Sequence, residues 1–249
     1  MKLTVIGCSG SFPGPDSACS CYLVEAEGFR VLLDLGSGAL GPLQRHVDLA
    51  DLDAVLLSHL HADHCLGWCD YYVVRRYHPQ GAMPPIPVYG PANTVDRLSR
   101  ASSLPGESSA IAEFIDFTTL RPSSFELGPF QVTVDRVNHP VETYAMRLAY
   151  DGRSVTYSGD TDECEELARL AADTDLLLAD AAYLDGRDVQ SGVHMTGRAA
   201  GEQAARAQAG RLVLTHIPPW TDAQRNLDAA RTTYAGPVEL ARPHVTYSV

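Results

Sequence analysis

The chain has 249 residues, 45% of them apolar and 20% charged, as in an ordinary soluble globular protein. Its formal charge of −12, with no Lys/Arg run beyond Arg75-Arg76, argues against a broad polyanion-binding surface. No apolar run approaches the roughly eighteen residues a membrane helix needs.

The opening, Met1 to Cys8, reads as a first strand and is too short for a signal peptide, so a cytoplasmic chain is expected. In that compartment the cysteines at 8, 19, 21, 65, 69 and 164 are expected as reduced thiols and not as a disulfide framework. No repeat, low-complexity tract or long linker interrupts the chain, so one domain over 1–249 is expected. Strand-like runs at 2–7, 20–25 and 29–34, punctuated by Gly and Pro, suggest a meander. A short helix is expected over Leu40 to Val47, and the apolar run 54–57 is a short buried strand.

The loop leaving that strand, Ser58-His59-Leu60-His61-Ala62-Asp63-His64, packs three imidazoles and a carboxylate into six positions. Imidazole nitrogen and carboxylate oxygen are the usual ligands of zinc and its neighbours. One ion cannot easily use all four from so short a loop. His59 and His61 suit one ion, Asp63 and His64 a second beside it, and paired ions point to hydrolysis. A polar, solvated loop is the bland alternative, but three histidines directly after a buried strand disfavour it. Cys65 and Cys69, four apart, could form a Cys-rich zinc site, but a buried helix face is the better reading.

Residues 65–78 have helical character and end at Pro79. A Pro-rich connection leads to a strand at 87–90 and a helix near 92–102. Strands follow at 130–138, 144–150 and 153–158, then a helix from Asp162 to Ala172 and the apolar strand Leu176 to Ala179. An Ala-rich helix over 196–209 has Gly210 placed as its C-cap. The strand Leu212 to Leu214, a helix from Asp222 to Tyr234 and two short strands complete the chain. Strands first, then strands alternating with helices, twice over, suggest two packed sheets with helices outside.

The pattern H-x-H-x-D-H resembles the signature of the metallo-β-lactamase superfamily. That resemblance implies an α/β fold, an αββα sandwich of two mixed β-sheets with outer helices. It also implies three further ligands in order, and the chain supplies them in Val137-Asn138-His139-Pro140, Ser158-Gly159-Asp160-Thr161 and Leu214-Thr215-His216. On this basis His59, His61, His139 and Asp160 hold one divalent ion, and Asp63, His64, Asp160 and His216 a second. Zinc is expected, with manganese the alternative. Taken singly, His139 and His216 read as structural histidines and Asp160 as a turn residue.

His194, in Val193-His194-Met195-Thr196-Gly197, matches the H-x-T motif of the superfamily's phosphodiesterase branches, ribonuclease Z included, which implies a catalytic role. The bland reading is a half-buried histidine beside an N-cap made by Thr196. His46, His78 and His244 have no such support and read as surface or structural. The run Asp34-Leu35-Gly36-Ser37-Gly38-Ala39-Leu40-Gly41 contains G-x-G-x-x-G after a strand, resembling the glycine loops of dinucleotide-binding folds and methyltransferases. It lacks an opening strand–loop–helix and a later acidic strand end. Members of the superfamily carry an Asp-x-Gly turn at this place, so Asp34 is expected to support the site from behind.

Longer segments, including Gly7 to Ser11, Arg75-Arg76-Tyr77-His78-Pro79 and Leu214 to Trp220, resemble an actinobacterial branch. Its members are described as ribonuclease Z-like hydrolases or atypical class II cyclic-nucleotide phosphodiesterases. The resemblance implies cleavage of a small phosphodiester such as cyclic AMP, with His194 and Asp63 assisting the ions. Ribonuclease Z that processes tRNA usually carries a long arm between the third histidine and the bridging aspartate. Here only twenty residues separate His139 from Asp160, and with the −12 charge this makes tRNA an unfavoured partner. A lactone or β-lactam hydrolase would use the same ions without needing His194. Residues around 66–80 or 218–222, including Tyr71, Tyr72 and Trp220, are expected to supply base recognition, although aromatics at these positions are more often core. No membrane partner is expected, and homodimerisation is left open.

Overall fold

The computed structural model describes residues 1–103 and 109–249. The first half runs β1 (Lys2–Ser9), β2 (Ala18–Cys19), β3 (Cys21–Ala26), β4 (Phe29–Leu33), α1 (Leu40–Leu43), β5 (Ala54–Leu56), α2 (Ala62–Cys65), α3 (Gly67–Arg76), β6 (Ile86–Gly90), α4 (Thr94–Ser102) and β7 (Ile115–Thr119). The second half runs β8 (Ser123–Leu127), β9 (Phe130–Arg136), β10 (Tyr144–Tyr150), β11 (Arg153–Tyr157), α5 (Glu165–Leu170), β12 (Leu176–Asp180), α6 (Gly197–Arg206), β13 (Leu212–Thr215), α7 (Ala223–Ala230), β14 (Val238–Leu240) and β15 (Thr246–Ser248).

Two mixed sheets result. One has the order β15-β1-β3-β4-β5-β6-β7, with β2 paired to β1; the other has the order β14-β13-β12-β11-β10-β9-β8. Alternation along the strands explains the layering. Val31 and Leu33 of β4, and Leu176 and Leu178 of β12, face the core between the sheets. Leu32 faces the layer of α1, α3 and α4, while Leu177 and Ala179 face the layer of α5, α6 and α7. Strands buried on both faces must be apolar throughout, which is why β5 and β12 read as unbroken runs.

The pairings also aim the strands. β1, β4 and β5 point one way in the first sheet, and β9, β11, β12 and β13 point one way in the second. The sheets are joined near these C-terminal ends by a bond from the Tyr144 amide to the Ser58 carbonyl (3.0 Å) and by Tyr22 Oη against Thr215 Oγ1 (2.6 Å). The loops leaving seven strands therefore gather at one edge of the sandwich.

Several local expectations are corrected. α1 stops at Leu43, four residues short, after the helix-weakening pair Gly41-Pro42. The helix expected over 65–78 begins earlier, as α2, and breaks at Leu66 before α3. Asp63 and His64 therefore lie on a helical turn and not on an open loop. The helix expected from Asp162 starts at Glu165, because Asp162 bridges to Asn138 in extended form. α6 ends at Arg206, and Gln208 (φ 52°), not Gly210, takes the left-handed position after it. β7 and β8 went unexpected, because as edge strands they bury only alternate residues. No helix among the described residues is long and apolar enough to cross a membrane.

Candidate metal centre

The residues singled out in the sequence as ligands meet at the gathered strand ends. His59 follows β5, with His61 beside it; Asp63 and His64 lie on α2. His139 follows β9, Asp160 follows β11 and His216 follows β13. The ligand atoms of His59, His61, His139 and Asp160 all lie within 4.8 Å of one another, and so do those of Asp63, His64, Asp160 and His216. Asp160 belongs to both groups.

The spacing within each group is that of ligands around a small cation. Two atoms each about 2.05 Å from a tetrahedral zinc stand roughly 3.3 Å apart. In the first group His59 Nε2 is 3.0 Å from His61 Nδ1, His61 Nδ1 is 3.3 Å from His139 Nε2, and His59 Nε2 is 3.5 Å from Asp160 Oδ2. In the second, His64 Nε2 is 3.2 Å from Asp160 Oδ1 and 3.5 Å from Asp63 Oδ2, and His216 Nε2 is 3.2 Å from Asp160 Oδ2. His64 Nε2 and Asp160 Oδ1 are also fully buried without a hydrogen-bond partner. A buried orphan of that kind is costly unless something else, such as a cation, satisfies it. The donor sets fit two divalent ions.

Behind them a polar shell fixes which nitrogen faces inward. His139 Nδ1 donates to the Val193 carbonyl (2.8 Å), leaving the Nε2 lone pair free. His64 Nδ1 donates to Asp34 Oδ2 (2.7 Å), while His59 and His216 meet Ser58 Oγ (3.0 Å) and Ser20 Oγ (3.1 Å) through Nδ1. The Ser11 amide donates to Asp63 Oδ2 at 2.8 Å. Asp34 is the hub: wholly buried, it also accepts from the Ser58 amide (2.7 Å), Ser58 Oγ (2.8 Å) and Tyr157 Oη (2.8 Å).

Electrostatics point the same way. Burial holds His59 well below the ordinary histidine range and lowers His61, His139 and His216, which favours the neutral form that ligates. Burial opposes a charge on His64, but Asp160 and Asp34 outweigh it and hold that imidazole well above the usual range. A cation held by His64 and Asp160 would take the place of that proton. Asp160 itself, although burial disfavours its charge, is held well below the carboxylate range by His216, His64 and His59.

Asp34→Asn would turn one acceptor oxygen into an amide donor facing the His64 N–H. We expect zinc affinity to fall about 10–100-fold, read by titrating metal-depleted protein.

His194 lies beside both groups and outside them. Its ring centroid is 5.4 Å from that of His139, 5.3 Å from His216 and 5.0 Å from Tyr183. Nδ1 is tied to Asp180 Oδ2 at 2.7 Å, which leaves Nε2 for other work. Burial disfavours its charged form, but the Asp180 carboxylate prevails and pushes the imidazole up to about 9. Asp180, unremarked in the sequence, is wholly buried and is itself fixed by the amides of Thr161 (3.1 Å) and Ala182 (3.0 Å). Its signal was available: an acid closing an apolar strand, as Asp34 follows β4. Thr196 also caps α6, accepting from the Ala199 amide.

Other residues are placed elsewhere. Tyr71 is core, its hydroxyl bonded to the Leu49 carbonyl, and Tyr72 packs on Phe114. All six cysteines are free; Cys65 is buried in the helix-layer core, which pushes its thiol up to about 12, and no cysteine joins the ligand groups. His46 and His244 stack on each other at the surface. The glycine run serves the metal loop: a Cβ at Gly36 would lie 2.0 Å from the Asp63 carbonyl oxygen, so only glycine lets this backbone pass.

The family model described as "Beta-lactamase superfamily domain" matches residues 29–217. An uncharacterized protein of Mycobacterium leprae is 40% identical over 253 residues, covering 100% of this chain and 89% of the relative. The probable metallo-hydrolase YhfI of Bacillus subtilis is 32% identical over 245 residues, 97% of each chain. Its crystal structure superposes with a TM-score of 0.88 at 29% identity, covering 99% of this chain and 98% of that one. A ribonuclease Z of Mycobacterium bovis is 32% identical over 271 residues, covering 96% of this chain and 95% of the relative. With a two-sheet sandwich and a buried His/Asp cluster able to bind metal, the chain belongs to the metallo-β-lactamase superfamily of metal-dependent hydrolases.

Proposed function

We propose that the protein hydrolyses a small phosphodiester, a 3′,5′-cyclic nucleotide with cyclic AMP foremost, using two zinc ions or, as the alternative, manganese. The observation that carries this reading is the Asp180–His194 pair, set beside both ligand groups with His194 Nε2 unspent. An alkoxide leaving phosphorus needs a proton, and His194 Nε2 is the group left to supply it.

Bound ions would lower the pKa of water and draw off charge from the phosphoryl oxygens. His59, His61, His139 and Asp160 would hold one, and Asp63, His64, Asp160 and His216 the other. Asp63 uses Oδ2 towards the Ser11 amide, His64 and His216, which leaves Oδ1 to orient the attacking water. The attacking oxygen, its proton given up to solvent at the lowered pKa, would bond to phosphorus as the P–O3′ bond breaks. His194, held as imidazolium by Asp180, donates its proton to the departing O3′.

A second reading, processing of tRNA 3′ ends, is favoured by the similarity to the M. bovis ribonuclease Z. Against it stand the −12 charge and the segment between His139 and Asp160, which holds only the β10–β11 hairpin. Purified protein supplied with zinc or manganese should convert cyclic AMP to AMP and leave precursor tRNA intact. Cleavage of precursor tRNA without cyclic-nucleotide turnover would reverse the two readings. Hydrolysis of nitrocefin or an acyl lactone alone would replace both.

A further inference from the structure

Trp220 is 67% exposed, whereas the only other tryptophan, Trp68, is wholly buried. A singly exposed indole is not by itself a site, but this one is paired with a second aromatic. Its ring lies against Phe12 with centroids 4.5 Å apart and planes tilted by 44°.

Both aromatics are carried by segments fastened to the candidate metal centre. Phe12 follows Ser11, whose amide holds Asp63, and Trp220 is four residues past His216. The two segments are pinned together by the Gly10 amide on the Ile217 carbonyl (3.3 Å). A Cβ at Gly10 would come within 2.3 Å of the His216 carbonyl oxygen, so their approach is as close as backbone allows. Pro218 and Pro219 stiffen the second segment, and a turn bond from the Thr221 amide to the Pro218 carbonyl (2.8 Å) closes it behind Trp220. On the His194 side, Tyr183 stands edge-on to that ring, and Arg187 reaches Thr221 Oγ1 at 3.2 Å, drawing the segment after β12 to the same rim.

We infer that Phe12 and Trp220 form a stacking platform for the purine base of the substrate, beside the Asp63/His216 half of the centre. The inference rests on the phosphodiesterase reading and adds a specificity site to it. A phosphodiester held at the metals would leave its sugar and base outside, where the exposed Trp220 indole, backed by Phe12, offers a face to stack on. Stacking of a base on an aromatic side chain is worth about ten- to a hundredfold in affinity by alanine substitution.

The test uses the protein's own fluorescence, since Trp68 is shielded and Trp220 is not. AMP should quench the emission of the metal-loaded and the metal-depleted protein, while ribose 5-phosphate, which has no base, should leave it unchanged. Competition binding should show AMP weakened about ten- to a hundredfold by Trp220→Ala, less by Phe12→Ala, and held by Trp220→Phe, which keeps a flat ring. Ribose 5-phosphate should bind all variants alike. AMP affinity unchanged in Trp220→Ala, or equal losses for both ligands, overturns the platform. If AMP binding follows these variants but cyclic AMP is not hydrolysed, the platform stands and the cyclic-nucleotide reading falls. Melting temperatures near that of the parent exclude a folding defect, as expected for an exposed side chain.

Discussion

Asp160→Ala is expected to abolish hydrolysis and to strip metal from the protein. Asp160 contributes one oxygen to the His59 and His216 side and the other to His64, and it is the one residue shared by the two ligand groups. Its removal leaves each group a ligand short. It also removes the negative charge at the junction of the two groups that offsets repulsion between two adjacent cations. Transition-state stabilisation by the paired ions amounts to several kcal/mol, so the rate on cyclic AMP should drop about 10³-fold or more. Initial rates and elemental analysis on the same preparation check it. A variant that keeps its turnover would refute a bimetallic site.

His194→Ala should separate chemistry from metal binding. The side chain is outside both ligand groups, and Asp180 commits its Nδ1. We expect turnover to fall about 10²–10⁴-fold, the usual contribution of a positioned general acid, with metal content unchanged. The defect should be smaller for a substrate with a good leaving group, such as bis(p-nitrophenyl) phosphate, because p-nitrophenolate departs without a proton. Metal loss in parallel with activity would make His194 a ligand and reassign its role.

Much of the site could be read from residue order because His59 and His216 follow strands whose apolar runs are plain, and His139 and Asp160 each follow a strand too. His59 comes after Ala54-Val55-Leu56-Leu57, His216 after Leu212-Val213-Leu214-Thr215, and strands buried on both faces announce themselves. The two-sheet sandwich followed from the same runs. What stayed hidden depends on contacts between distant segments. Asp180 gains meaning only when the segment carrying His194 folds back over β12, and the Ser20 and Tyr157 hydroxyls only when the two sheets close. Tyr71 looked available for a ligand because nothing local reports that α3 turns that face to the core. β7 and β8 were missed because half of each edge strand is polar, which weakens the apolar signal.

The account stands most directly on how many cations this cluster takes up. Metal-depleted protein should be titrated calorimetrically with zinc, and the washed product analysed for metal. The account predicts two ions per chain, one for each ligand group. Uptake of a single ion, or of none by protein that still melts cooperatively, would contradict it.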